Sequence, residues 1–147
     1  MTGAREYPER PVVGVGGVVI RDGRALLVRR GNEPSRGEWS IPGGLLEAGE
    51  TLVEGVRREL LEETGVPVNA HEVIDVFEKI TLDAEGKTQY HYVVLDYFCE
   101  SPGGEAKAGS DVTEVAWVAE ADVDSYSLTA AAKQVIHKAF EIARSRK

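Results

Sequence analysis

Residues 44–66 read GLLEAGETLVEGVRRELLEETGV. Thr51 stands three residues ahead of Glu54, the spacing of a capping box, in which a hydroxyl and a carboxylate each accept from the other residue's backbone N–H. A helix is therefore predicted over 51–64. Leu52, Val53, Val56 and Leu60 form its apolar stripe, and Gly65 stops it at the position just past the end. The charges of this segment are lopsided: Glu47, Glu50, Glu54, Glu59, Glu62 and Glu63 stand against only Arg57 and Arg58. At about 100° per residue, Glu62 lies at about −60° and Glu63 at about +40° from Glu59. Three carboxylates thus project within one arc, at the edge of the apolar stripe. Like charges so placed repel, and a hard divalent cation, which prefers oxygen ligands, would relieve them. A solvated acidic helix face is the plain alternative.

Working outward, 12–20 reads as a buried strand, Arg21-Asp22-Gly23 as a hairpin turn, and 25–30 as the returning strand. Residues 31–38 are loop by composition. A short extended piece follows over 39–42, which Gly43-Gly44 should break. Downstream, strands are expected over 73–81 and 89–99, joined by a turn at 83–87. A polar loop opens at Ser101-Pro102-Gly103-Gly104 and runs to about Asp111; a strand over 114–118 and a helix over 128–144, capped by Ser127 or Thr129, complete the chain. Strands on both flanks of one central helix imply an α+β, mixed-sheet sandwich rather than a doubly wound parallel sheet. No repeat or linker interrupts this order. One domain over 1–147 is expected, with 1–10 as a flexible N-terminal segment.

The chain has 147 residues, of which 42% are hydrophobic and 29% charged. That is one domain's length and enough to bury a core without disulfides or a structural metal. A net charge of −8 argues against nucleic acid, whose non-specific binding needs a basic surface, and against a polybasic membrane anchor. Cys99 is the only cysteine, so neither an intrachain disulfide nor a cysteine-based zinc site can form; it reads as a small buried hydrophobe. The apolar run at 12–20 is too short to span a bilayer. The first ten residues carry no signal-peptide core, and a cytoplasmic protein is expected. The glycines at 14–17 lack the third spaced glycine of a dinucleotide fingerprint and lead into a strand.

The 44–66 stretch resembles the Nudix box, G-x5-E-x7-R-E-U-x-E-E-x-G-U with U aliphatic. Gly44, Glu50, Arg58, Glu59, Leu60, Glu62, Glu63, Gly65 and Val66 fill every specified position, a chance event on the order of 10⁻⁸ to 10⁻⁷. Arg29-Arg30, Glu33-Pro34 and Gly37-x-Trp39-x-Ile41-Pro42-Gly43-Gly44 look like the lead-in of small Nudix hydrolases. The resemblance implies an α/β/α sandwich, with a central mixed sheet between helices, that hydrolyses a nucleoside diphosphate linked to another moiety with Mg²⁺, or Mn²⁺ in its place. Carried over, Glu59, Glu62 and Glu63 hold the metal and Arg58 orients a box carboxylate. Gly44 allows close backbone approach to metal or phosphate. Glu59 is the first choice of general base, with Asp111 or Glu114 as loop alternatives. Asp111 is also placed as an extra metal ligand, or as an ordinary loop residue. Gly55 leaves room for the diphosphate or the preceding loop, or meets a local packing need.

Candidate substrate contacts are Arg29 and Arg30 (one to each face by strand alternation), Trp39, Glu50 and Tyr92, the last sharing a face with Tyr90. Trp39 and the tyrosines read equally well as packing. The lead-in and His91-Tyr92-Val93-Val94-Leu95-Asp96-Tyr97 resemble the short ADP-ribose pyrophosphatase-like branch, so ADP-ribose or a nucleotide sugar is the expected substrate. Many such enzymes carry a proline downstream of the box, whereas this chain has none between Pro67 and Pro102. That departure leaves open a pool-sanitising pyrophosphatase of oxidised or non-standard nucleoside triphosphates. A nucleotide-sensing module that binds without cleaving is the alternative of a different class. The expected partner is a small nucleotide, with no nucleic acid and no membrane; a homodimer is left open.

Overall fold

Valine and glycine dominate β1, Val12–Arg21, which is buried from Gly14 to Val19. A strand covered on both faces has no polar side to alternate, and β1 is central. In the computed structural model, which describes residues 5–33 and 35–146, it pairs in parallel with β6 (Thr88–Glu100) from Val12 opposite Tyr92 to Val19 opposite Cys99. On its other edge it pairs antiparallel with β4 (Gly43–Leu45), and at its end with β2 (Arg24–Arg30). The seven-stranded sheet runs β3-β2-β1-β6-β5, where β3 is Trp39–Ser40 and β5 is Asn69–Leu82. β7, Val112–Ala119, lies antiparallel to β2.

Alternation along the central strands sends side chains to two helices. Val15, Val19, Leu26 and Cys99 pack with Val56 and Leu60 of α1, Leu52–Thr64. Val18, Leu27, Phe98 and Val118 pack with Val135, Ile136, Ala139 and Phe140 of α2, Ala130–Ser145. The result is the expected mixed sheet between helices. Thr129 caps α2 by accepting from the Ala132 N–H at 3.1 Å. Burial pushes the Cys99 thiol up to about 12, which suits its packing role and makes it inert. No helix among the described residues is long and apolar enough to cross a membrane.

Several boundaries differ from the sequence expectation. Gly43-Gly44 does not end the extended piece but begins β4, because its backbone lies so close to β1 that a Cβ on Gly43 would overlap the Val15 carbonyl. β5 starts earlier than expected and is bulged between Ala70 and Asp75, which breaks the regular alternation a strand is recognised by. A 3₁₀ turn over Glu120–Ser125 links β7 to α2. Residues 1–4, Pro34 and Lys147 lie outside the described residues, and with them parts of the expected N-terminal segment and lead-in. Tyr7 donates its N–H to the Gln89 carbonyl and its hydroxyl to Asp83, each at 2.8 Å.

Gly17 is the point at which α1 meets β1. A Cβ there would lie 2.8 Å from Cys99 Sγ, 3.1 Å from Val56 and 3.2 Å from Leu60. Gly17→Val is expected to overpack this seam and cost about 1–3 kcal/mol despite valine's strand preference. Urea unfolding checks this, and wild-type stability in the variant would refute the close-packing role.

Candidate functional site

The rotational setting of α1 decides where its acids point. At its start Glu54 accepts the Thr51 N–H at 2.8 Å and Thr51 accepts the Glu54 N–H at 3.1 Å, the complete capping box. At its end Gly65, with φ of 71°, donates to the Leu61 carbonyl. Between these stops Val56 and Leu60 are fully buried, which turns Glu59 and Glu63 toward β1 and β4 and leaves Glu62 outside.

Arg58 gathers the acidic arc. Its Nε and Nη2 donate to the two oxygens of Glu50 at 2.6 and 2.9 Å, a bidentate pair. Nη1 donates to Glu59 at 2.8 Å and Glu62 at 3.2 Å, and Nη2 also reaches the Leu45 carbonyl at 2.9 Å. The Arg58 guanidinium, with the Glu47 N–H, holds the Glu50 carboxyl down at about 2, and the same pairing pushes Arg58 further up. The arginine thus does pair with Glu59, but its firmest partner is Glu50. That assignment makes Glu50 a brace between loop and helix.

Glu63 is 6% exposed and accepts the Gly43 N–H at 2.9 Å. Burial pushes its carboxyl up to about 7, against the opposing pull of that N–H. Glu59 abuts Gly44 so closely that a Cβ on the glycine would stand 2.5 Å from the carboxylate. At Gly55 a Cβ would meet Leu46 at 2.8 Å and Glu50 at 3.2 Å, so that glycine makes room for the loop preceding the helix.

Glu63, Gly43 and Gly44 border a cleft of about 150 Å³. Arg30, Asn32, Asp96 and Asp111 also line it, between apolar walls that include Val28, Ile41 and Val94. Other predicted residues go elsewhere. Arg29 donates to the Gly37 carbonyl and to Glu114, both at 3.0 Å, so the adjacent arginines do diverge. Trp39 packs edge-on against Tyr126 with centroids 5.1 Å apart. Tyr92 stacks on Tyr90 at 6.2 Å and does not line the cleft. Sequence reasoning missed Asp96 as a cleft residue; the available signal was one acid inside an apolar strand.

Among the described residues, no three His, Cys, Asp or Glu side chains form a ready-made metal-holding group. Mg²⁺ rarely uses such a cage; it keeps several waters and takes one or two carboxylates plus substrate phosphates. Glu59, whose carboxylate occupies the space a Cβ on Gly44 would fill, and Glu63, which accepts the Gly43 N–H, are a donor set of that kind.

The profile of the NUDIX domain family matches residues 10–139. Over 104 residues the chain is 36% identical to an ADP-ribose pyrophosphatase of Methanocaldococcus jannaschii, covering 71% of this chain and 59% of that protein. It is 38% identical over 112 residues to a MutT-like protein of Streptomyces ambofaciens, covering 76% and 66%. The chain therefore spans about two thirds or less of the length of these relatives. A crystal structure of a MutT NUDIX hydrolase from Burkholderia pseudomallei superposes with a TM-score of 0.73 at 30% identity, covering 88% of this chain and 98% of the other.

Glu63 makes stability pH-dependent. Its carboxyl lies at about 7 in the fold against 4.5 ordinarily, so the fold favours the protonated form. The associated stability is complete below about pH 4.5 and is lost as pH rises through about 7. Asp96, pushed up to about 6 from 3.8, has the same sign. In EDTA, the melting temperature of Glu63→Gln is expected to gain on wild type from pH 5 to about pH 7 and to level off above it. Scanning calorimetry checks this; a constant difference would show that Glu63 ionises normally.

Proposed function

This chain belongs to the NUDIX family, and on that premise we propose that it is a Mg²⁺-dependent pyrophosphohydrolase. Its substrate is a nucleoside diphosphate linked to a further group, with ADP-ribose or a related nucleotide sugar as the favoured class. The observation that carries this reading is the meeting of Glu59, Glu63 and the Gly43-Gly44 backbone at the rim of a cleft that Arg30 also lines. The M. jannaschii relative's name supports the substrate class. The absence of a proline between Pro67 and Pro102 favours a second reading, hydrolysis of non-standard nucleoside triphosphates. Binding without cleavage has less support, because every specified position of the box is filled.

A bound divalent cation supplies charge neutralisation along the diphosphate and lowers the pKa of a coordinated water. Glu59, Glu62 and Glu63 would hold it. Arg58 is a positioning residue, fixing Glu59 while its grip on Glu50 and Leu45 fixes the loop. Gly43 lets the strand lie close on β1 while its N–H holds Glu63, and Gly44 lets the Glu59 carboxylate lie against the backbone. Glu59 takes the proton from the attacking water. Asp111 is the loop carboxylate that lines the cleft and the competing base, whereas Glu114 is engaged by Arg29.

Hydrolysis of ADP-ribose and nucleotide sugars is expected to require added Mg²⁺ or Mn²⁺ and to stop in excess EDTA. Full turnover in EDTA, with metal removal verified, would sink the reading. At saturating Mg²⁺ and substrate, Glu59→Gln is expected to lower turnover roughly 10²- to 10⁴-fold, the usual worth of a general base, and Asp111→Asn to have a modest effect. The reverse pattern would transfer the proton-accepting role to Asp111. A parallel assay of oxidised nucleoside triphosphates decides between the two substrate classes.

A further inference from the structure

Asp96 has no task in the reaction just described, yet it sits where substrate must lie. It stands midway along β6, opposite Gly16 of β1, with 4% of its surface exposed, and that remainder lines the cleft. Among the described residues no donor hydrogen-bonds to its carboxylate and no cation pairs with it. Burial pushes its carboxyl up to about 6, with the Asp75 charge adding to the effect. A carboxylate held nearly dry in the wall of a cleft, with no donor from its own chain, is an acceptor that a ligand in the cleft can use.

The surroundings say what kind of ligand. Val28, Ile41 and Val94 give the cleft apolar walls, which suit a flat heterocycle anchored by a few polar groups. A Cβ on Gly16 would lie 2.6 Å from Asp96 Oδ1, so the bare glycine makes room for the carboxylate at the cleft wall. A carboxylate repels phosphate and accepts from N–H and O–H donors, whereas Arg30 and the Gly43-Gly44 backbone, which line the same cleft, are the phosphate-compatible features. We propose that Asp96 determines specificity by reading the nucleoside end of the substrate, accepting hydrogen bonds from N–H groups of the base or hydroxyls of the ribose. The inference rests on the pyrophosphohydrolase reading for the identity of the ligand.

The test separates binding from catalysis. Calorimetric titration of metal-free wild type and Asp96→Asn with AMP, GMP, CMP, UMP and their 2′-deoxy counterparts reads recognition without turnover. Asparagine keeps the shape but turns a donor toward the ligand's donor. Affinity for the preferred nucleotide is expected to fall roughly ten- to hundred-fold, with the others little changed. Loss of preference among bases assigns Asp96 to the base, and loss of preference for ribose over deoxyribose assigns it to the sugar. An equal change for every nucleotide, or none, overturns the proposal. Asp96→Ser, with melting measured for both variants, covers the case in which asparagine disturbs the fold. Selective binding that depends on Asp96 without hydrolysis of any derivative would overturn the pyrophosphohydrolase reading alone. Absence of nucleotide binding to wild type would overturn this proposal, while the metal-dependent hydrolysis assay decides the pyrophosphohydrolase reading by itself.

Discussion

The site depends on one guanidinium. Arg58 offers its donors to Glu50, Glu59, Glu62 and the Leu45 carbonyl, and its planar fork suits the bidentate share of that work as a lysine ammonium would not. It supplies the positive charge that lets Glu59 and Glu62 share a helix edge with Glu50 beside them. It also joins the helix to the loop that precedes it, so the strand β4, its glycine pair and the carboxylates move as one unit. Preorganisation of this kind is what a site of several charged groups needs, since small misplacements are costly in rate.

Much of this was legible because it is local. The capping box and the αL glycine fix the start and stop of α1 from sequence alone, and with them the direction of every glutamate. The parts that were not legible involve chain brought in from a distance. Sequence pairs Arg58 naturally with its neighbour Glu59; that Glu50 takes the bidentate contact depends on the path of residues 45–50, set by β4 pairing on β1. Gly43-Gly44 reads as a break because glycine has low strand propensity, but closeness to β1 outweighs propensity there. Trp39 looked as suited to a base as to a core, and only the position of Tyr126 on the far side of the chain distinguishes the two. Asp96 was hidden by the apolar strand around it.

The acids of this region occupy contrasting environments. Glu50, pinned by Arg58, is held down at about 2, whereas Glu63 and Asp96, deprived of water, rise to about 7 and 6. Such divergence among neighbouring carboxyls separates those that brace the structure from those kept reactive toward ligands. The raised groups are a standing liability for the empty protein, one that binding of the right charge or hydrogen-bond donor reverses.

The parallel pairing of β1 with β6 has a consequence for how the molecule is made. Val12 meets Tyr92, so some 80 residues, including all of α1, form the loop that must close before the central strand gains its parallel neighbour. Contacts that distant pay their closure entropy before any burial returns it, and chains rich in them fold slowly for their size. The acidic helix, stabilised by its own caps, can form early and locally. Its partners Val15, Val19 and Leu26 on β1 and β2 precede it in the chain, whereas Tyr97 and Cys99 arrive only with β6. During that interval the edge of β1 that β6 will cover is an unpaired strand edge open to other chains, and the time to β1–β6 docking sets the window for aggregation.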